Sequence, residues 1–334
     1  MTIRIGITGC SGHYEYVIGG MECLPEACIC AVAPGCPEED MSGLMKHPTI
    51  SRYSPNYYSD YRHMLDREDL DIVVVNPFYY LHSQITVEAL IRGICVFCEK
   101  PLAIDMESLG KVRDAQMQLN TRMGMMLNFR YDPRFYTAHE LVKEGAIGVP
   151  TLGYSQKSYK LGTRPWFYEK RETFGGLIPW VGIHAIDWFR WVSGVDYSSV
   201  VAYHTNMHAP QYPGMEDIAG CLFELSNGGV ATMSFDYLRP SGASTHGDDR
   251  LRLVGSQGII EIDDNKGLVL TDESGSHQVE LRNPPHDIFA DFALTVADPG
   301  HECLISTEDA LSATRTSLLA RESADLGRQI QGLY

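Results

Sequence analysis

Short apolar runs recur through the first third of the chain, each ending abruptly at small or polar residues. Ile3–Thr8, Ala27–Ala33, the stretch DIVVV at 71–75 and Cys95–Cys98 each have the length and β-branched or small apolar content of a buried strand. The run MGMML at 123–127 reads as a further strand. Between these runs the apolar positions spread to helical spacing. Leu81, Ile85 and Ala89 recur every fourth residue, and Gly93 stands where a helix would stop. Strands alternating with helices predict a parallel sheet covered by helices on both faces.

Beyond residue 150 the pattern changes. SVVAYHTN (199–206), AGCLFEL (219–225), GVATMSFDYL (229–238), RLRLVG (250–255) and GIIEID (258–263) read as strands joined by short turns. SNGG at 226–229 reads as a hairpin turn. This half predicts a largely antiparallel sheet, followed by helices over 284–297 and 306–326. The expected fold class is therefore α/β, with one domain over 1–127 and a second over 128–334.

Composition narrows the function classes. At 334 residues the chain exceeds what one hydrophobic core usually supports. The formal charge of −16 argues against nucleic acid as a partner, which would call for a basic stripe. No apolar run reaches membrane-spanning length, and MTIRIGITGC enters a strand pattern directly, without the basic and apolar regions of a signal peptide. Nine cysteines, an odd number, do not suggest a disulfide framework. The expectation is a reduced, cytoplasmic protein with no membrane partner.

Two segments carry chemistry. The first strand runs into GITGCSGHYEYV, where Gly6, Gly9 and Gly12 crowd the turn before a helix. Glycines there let the backbone approach a pyrophosphate, although in the register from Gly9 the second and third glycines of the usual dinucleotide fingerprint are Ser11 and Tyr14. The acid expected after the second strand is replaced by Pro34, and no Lys or Arg occurs between Arg4 and Lys46. A 2′-phosphate would find no cation here, which favours NAD over NADP. Glu38 and Glu39 read as the solvated first turn of a helix. The second segment is GICVFCEKPLAID (93–105), where Glu99, Lys100 and Pro101 close an apolar strand. Ligands bind parallel sheets at the carboxyl ends of strands, so a lysine there can orient a hydroxyl or move a proton. Cys95 and Cys98 are an odd number of residues apart on that strand, so they face opposite ways and read as packing, with no metal or disulfide.

These residues, with NPFYYLH (76–82), CEKPLA (98–103), NFRYDP (128–133), GGLIPWVGIHAID (175–187) and RLRLVGSQGIIEI (250–262), resemble the Gfo/Idh/MocA family of oxidoreductases. The resemblance implies an N-terminal Rossmann-type domain, a C-terminal α/β domain with an open-faced sheet that serves as a subunit interface, and hence a homo-oligomer. It implies hydride transfer between a nicotinamide cofactor and a small-molecule sugar, cyclitol or polyol. Lys100 and His184 would handle the proton. Gly9, Ser11, Gly12, His13, Tyr14, Asn76, Pro77, Phe78, His82, Glu99, Lys100 and Asn128 would line the cofactor. Arg130, Trp166, Trp180 and His184 would meet substrate, and no metal is implied.

The segment from Pro179 to Gly194 reads as one α-helix, with Trp180, His184, Asp187, Trp188 and Trp191 on one face. Many relatives carry an aspartate where this chain has Trp180. That departure keeps two other readings open: a lyase or hydrolase with an internal redox cycle, and a non-catalytic sensor. Asp187 could orient the His184 ring or serve structure alone. His204 and His208 read as loop histidines.

Overall fold

The computed structural model describes residues 2–264, 266–298 and 300–333. The chain divides into two compact units: Met1–Leu127 with Pro285–Leu311, and Asn128–Pro284 with Ser312–Tyr334.

The first unit is built on six parallel strands: β1 (Ile3–Thr8), β2 (Ala27–Ala33), β3 (Asn56–Tyr57), β4 (Ile72–Val75), β5 (Cys95–Cys98) and β6 (Met123–Met125). Their order across the sheet is β3-β2-β1-β4-β5-β6. All four residues of β4 are inaccessible to solvent. A strand apolar on both faces suits the centre of a parallel sheet, and each fully buried Val stabilises the fold by about 1.5–3 kcal/mol. The register aligns the strand ends in one row: Thr8 with Ala33 and Val75, Val75 with Cys98, and Cys98 with Met125. Gly9, Pro34, Asn76, Glu99 and Met126 therefore follow one another along the carboxyl edge. The order reverses between β1 and β4, the crevice where such sheets receive ligands.

Residues 285–311 depart from the contiguous 128–334 domain that the sequence suggested. The helix Ile288–Ala297 packs Phe289 and Phe292 on Phe97 of β5, with ring centroids 5.2 and 5.3 Å apart. Gly124 of β6 makes room for this, since a Cβ there would lie 2.6 Å from the Phe292 ring. The helix starts later than expected because Asp287 caps it, accepting a hydrogen bond from the Phe289 amide at 2.9 Å.

The second unit holds a nine-stranded mixed sheet made of β7 (Pro150–Tyr159), β8 (Tyr197–Thr205), β9 (Ile218–Leu225), β10 (Val230–Asp236), β11 (Gly247–Gly255), β12 (Ile259–Asp263), β13 (Gly267–Asp272), β14 (Gly275–Gln278) and β15 (Ile330–Gln331). The order is β14-β13-β12-β11-β7-β10-β9-β8-β15, antiparallel at every step but β7 to β10. The helix Ile183–Ser193 lies on β7. Gly153 permits the close approach, because a Cβ there would sit 2.1 Å from the Phe189 ring. The opposite phase of the strands points outward and exposes Leu152, Tyr203, Leu222 and Val230. His204 belongs to β8 and not to a loop; its Nε2 lies 3.2 Å from Asp325. No described helix is long and apolar enough to cross a membrane.

Candidate functional site

The carboxyl edge of the first unit gathers three loops. Gly9 follows β1 with a φ of +74°, and a Cβ on it would lie 2.4 Å from the Pro77 backbone. Only glycine reconciles that backbone with that contact. The Ser11 and Gly12 amides donate to the Asn76 carbonyl at 2.9 and 3.3 Å. Glu39 completes the junction. Instead of sitting in a solvated helical turn, it is buried, accepting from Ser11 Oγ at 2.5 Å, the Cys10 amide at 3.0 Å and the Gly35 amide at 2.8 Å. It therefore locks the glycine loop to the loop after β2. Tyr14 precedes the helix Glu15–Gly20 and is partly exposed.

Glu99, fully buried at the end of β5, ties in the next strand. Its Oε2 accepts from the His13 amide at 2.8 Å and faces His13 Nδ1 at 2.5 Å. Its Oε1 accepts from the Lys100 amide at 2.9 Å and lies 4.0 Å from the Lys100 ammonium. Burial raises the proton affinity of the carboxyl group. The charges of His13 and Lys100 and the bonds from His13 outweigh it, and the pKa falls to about 2. Glu99 is a carboxylate at neutral pH, and Lys100, 2% exposed, stands beside it at the head of a cis Lys100–Pro101 peptide.

His82 is fully buried, with Nδ1 2.8 Å from the Pro101 carbonyl and Nε2 3.2 Å from that of Pro77. Burial pushes its proton affinity down. The ring braces the 76–78 and 99–101 segments, so it acts on anything bound there through those segments. Phe78 is buried and stacks on Tyr80, centroids 6.3 Å apart. Asn76 is fully buried, yet neither its side-chain nitrogen nor its oxygen has a hydrogen-bond partner. Orphaned buried amides are rare and call for an explanation. A donor and an acceptor left open beside a glycine loop at the sheet crossover fit the polar edge of a dinucleotide.

In the second unit the 3₁₀ turn Asn128–Tyr131 carries three of the predicted residues or their neighbours. Asn128 is partly exposed. Phe129 meets the His184 ring edge-on, centroids 5.2 Å apart at 71°. Arg130 is buried, and its fork is engaged by Asp187, with Nε to Oδ2 at 3.0 Å and the terminal nitrogen to Oδ1 at 2.6 Å. Asp187 is thus used by Arg130, a long-range partner that helical spacing does not reveal. The expected helical face is also broken. A π-helical turn spans Ile178–Gly182 before the α-helix Ile183–Ser193, so Trp180 does not stand in α-helical register with His184. Trp180 and His184 are both buried. Trp188 is fully buried and donates to Ser155 Oγ at 3.0 Å. Trp191 stacks flat on His139 at 4.2 Å. Trp166 is half exposed.

Sequence reasoning passed over Lys157. It lies on β7, 1% exposed, with its ammonium 2.8 Å from Asp249 Oδ2 and 3.8 Å from the Phe129 ring centre. Burial pushes its pKa down to about 8 against the pull of Asp249, whose own proton affinity burial raises. The signal was strand alternation: Gly153, Ser155 and Lys157 share the inward phase of β7. Of the two expected packing cysteines, Cys98 is buried, while Cys95 is only partly so. Among the described residues one three-donor group stands close enough to hold a metal: His286, Asp291 and His301, with ligand atoms within 4.8 Å. There Asp291 already accepts from the Leu304 amide at 2.9 Å and from His301.

Comparison with known proteins follows this division. Residues 42–126 match the model of an oxidoreductase family with an NAD-binding Rossmann fold, and residues 135–261 match the GFO/IDH/MocA C-terminal domain. A solved structure of a proposed oxidoreductase from Thermotoga maritima is 43% identical, with a TM-score of 0.94, over 99% of this chain and 100% of that one. The inositol 2-dehydrogenase of Burkholderia multivorans is 25% identical over 277 residues, 79% of this chain and 75% of the relative. An oxidoreductase from Agrobacterium radiobacter, solved with NAD+, L-tartaric acid and magnesium, has the same fold at 19% identity, with a TM-score of 0.82 over 99% of this chain and 98% of that one.

Proposed function

The chain belongs to the Gfo/Idh/MocA family of oxidoreductases, and from that premise we propose that it is an NAD-dependent dehydrogenase of a sugar, cyclitol or related polyol. The observation that carries this reading is the carboxyl edge of the first unit. A carboxylate held ionised, a buried lysine beside it and an unpartnered Asn76 amide converge there on the glycine loop. Asn76, the 9–14 segment and Phe78 would hold the cofactor, with His82 and Glu99 bracing them. Bound NAD supplies the acceptor for the hydride of a carbinol carbon. The hydroxyl proton must leave with the hydride. Lys100 orients the hydroxyl and, once its ammonium has passed a proton to solvent, receives the hydroxyl's; His184 is the second group assigned to that proton, because an unperturbed imidazole titrates near neutral pH.

NAD is favoured over NADP because Glu39 places a carboxylate at the junction after β2, and no Lys or Arg occurs between Arg4 and Lys46. The exposed apolar residues on the open sheet face support a homo-oligomer. Sedimentation of the wild type against Leu222→Arg checks this, with a monomeric wild type as the contrary result. Free thiols at every described cysteine agree with a reducing, cytoplasmic setting.

The test is Lys100→Met. Turnover across a panel of inositols and aldoses should fall by about 10²–10⁴ while NADH affinity changes little. A fully active variant would show that Lys100 only supports the loop. The family resemblance keeps a second reading, since it implies an aspartate at the position where this chain has the buried Trp180. A sensor would bind NADH and sugar without turnover, and a lyase or hydrolase with an internal redox cycle would turn over without net NADH release.

A further inference from the structure

We propose that Lys157, paired with Asp249, is a positioning residue for His184: it holds the Phe129 ring against the imidazole and sets that imidazole's proton affinity. This rests on the reading of His184 as a proton-handling group. Lys157 and Asp249 face each other in the β7–β11 register, so the pair is fixed by backbone as well as by charge. The ammonium lies 3.8 Å from the centre of the Phe129 ring, with Tyr159 at 4.6 Å and Trp188 at 5.4 Å completing an aromatic cage. Phe129 in turn abuts His184 at 5.2 Å and Trp188 at 4.8 Å. The ammonium is therefore no more than 9.0 Å from the imidazole centre, the sum of the 3.8 and 5.2 Å steps.

Stability alone does not account for this lysine. A buried ion pair is often no better than apolar residues of the same volume, and a methionine would fill the cage. What the charge adds is a fixed field and a cation–π contact that holds one face of Phe129. The other charged groups around this cluster are Asp264 and Arg134, which act on Lys157, His246, on which Lys157 acts, and the Arg130–Asp187 pair on the helix of His184. The ammonium is the member of the pair that lies on Phe129, so it disfavours the imidazolium. With Asp249 taken to lie one ion-pair length beyond the ammonium, removing both charges should raise the His184 titration midpoint by about 0.3 pH unit. That is the effect of a cation at 9.0 Å less an anion one ion-pair length further, at an effective dielectric near 20.

The experiment is NMR titration of histidine-labelled full-length protein, with the His184 signal identified by its loss in His184→Asn. In Lys157→Met/Asp249→Asn the midpoint should rise and the ring signals should move, while Lys157→Arg should keep the wild-type midpoint. An unmoved midpoint and unmoved ring signals in a folded double variant would overturn the proposal. Should that variant fail to fold, Phe129→Leu removes the ring between the two groups, and an unmoved His184 signal there overturns it equally. Turnover of His184→Asn is a separate readout. If that variant remains fully active, the proton-handling role of His184 fails while the titration still reports whether Lys157 positions it.

Discussion

Glu99→Gln tests the carboxyl-edge junction most directly, because it keeps the side-chain volume and removes only the charge. In the folded protein the Glu99 pKa drops from the ordinary 4.5 to about 2. At about 1.36 kcal/mol per pH unit, a carboxylate so favoured contributes roughly 3 kcal/mol of stability at pH 7. The sign follows from the depressed value. The contribution is complete above the unfolded pKa of 4.5 and is lost as pH falls toward about 2. Linkage leaves about 1 kcal/mol of it at pH 3. Wild type should therefore exceed Glu99→Gln by roughly 3 kcal/mol at pH 7 and by about 2 kcal/mol less at pH 3. The assay is thermal unfolding of both proteins across that range. For a unit of this size each kcal/mol moves the midpoint by roughly 2–4 °C, so a gap of roughly 10 °C at pH 7 should narrow by more than half. A gap that is absent at pH 7, or that does not change with pH, would refute the reasoning. Either result would mean that the bonds from His13 and the charge of Lys100 do not hold Glu99 as argued.

NADH should bind more tightly than NADPH in a fluorescence titration, since the loop after β2 offers a 2′-phosphate a carboxylate and no cation; tighter NADPH binding would contradict this. Trp180→Asp restores the acid that many relatives carry, but it empties a buried position, which should cost about 3–5 kcal/mol by denaturant unfolding and lower sugar affinity. A stable and faster Trp180→Asp enzyme would instead favour the sensor reading of the natural protein.

Local pattern was enough to place five of the six strands of the first unit, but not β3, whose two residues Asn56 and Tyr57 are exposed and form no apolar run. β1, β2 and β5 are short apolar runs ended by Gly9, Pro34 and Glu99, and these limits are set by neighbouring residues. The Glu99-Lys100-Pro101 element was legible for the same reason: a charged pair that closes a buried strand has to lie on the sheet's edge. The glycine loop was legible because Gly9 must adopt a positive φ there.

What the sequence did not disclose are pairings between residues remote in the chain. Glu39 looked like a solvated acid, but it accepts hydrogen bonds from a loop some 28 residues earlier. Asp187 read as orienting His184 or serving structure alone, and its engagement by a fork from Arg130, 57 residues away, was hidden. Lys157 drew no notice in the sequence, because its role depends on Asp249, 92 residues on, which its strand's inward phase meets. The π-helical turn moved Trp180 out of the helical face that periodicity assigned to it. Residues 285–311 joined the first unit because Phe289 and Phe292 found Phe97. Hydrophobic period and turn chemistry act over a few residues, so sequence alone determined most of the elements, while the start of the helix Ile288–Ala297 and the π-helical turn Ile178–Gly182 were not among its readings. Which buried charge meets which partner depends on how those elements pack, and only the tertiary structure decided that.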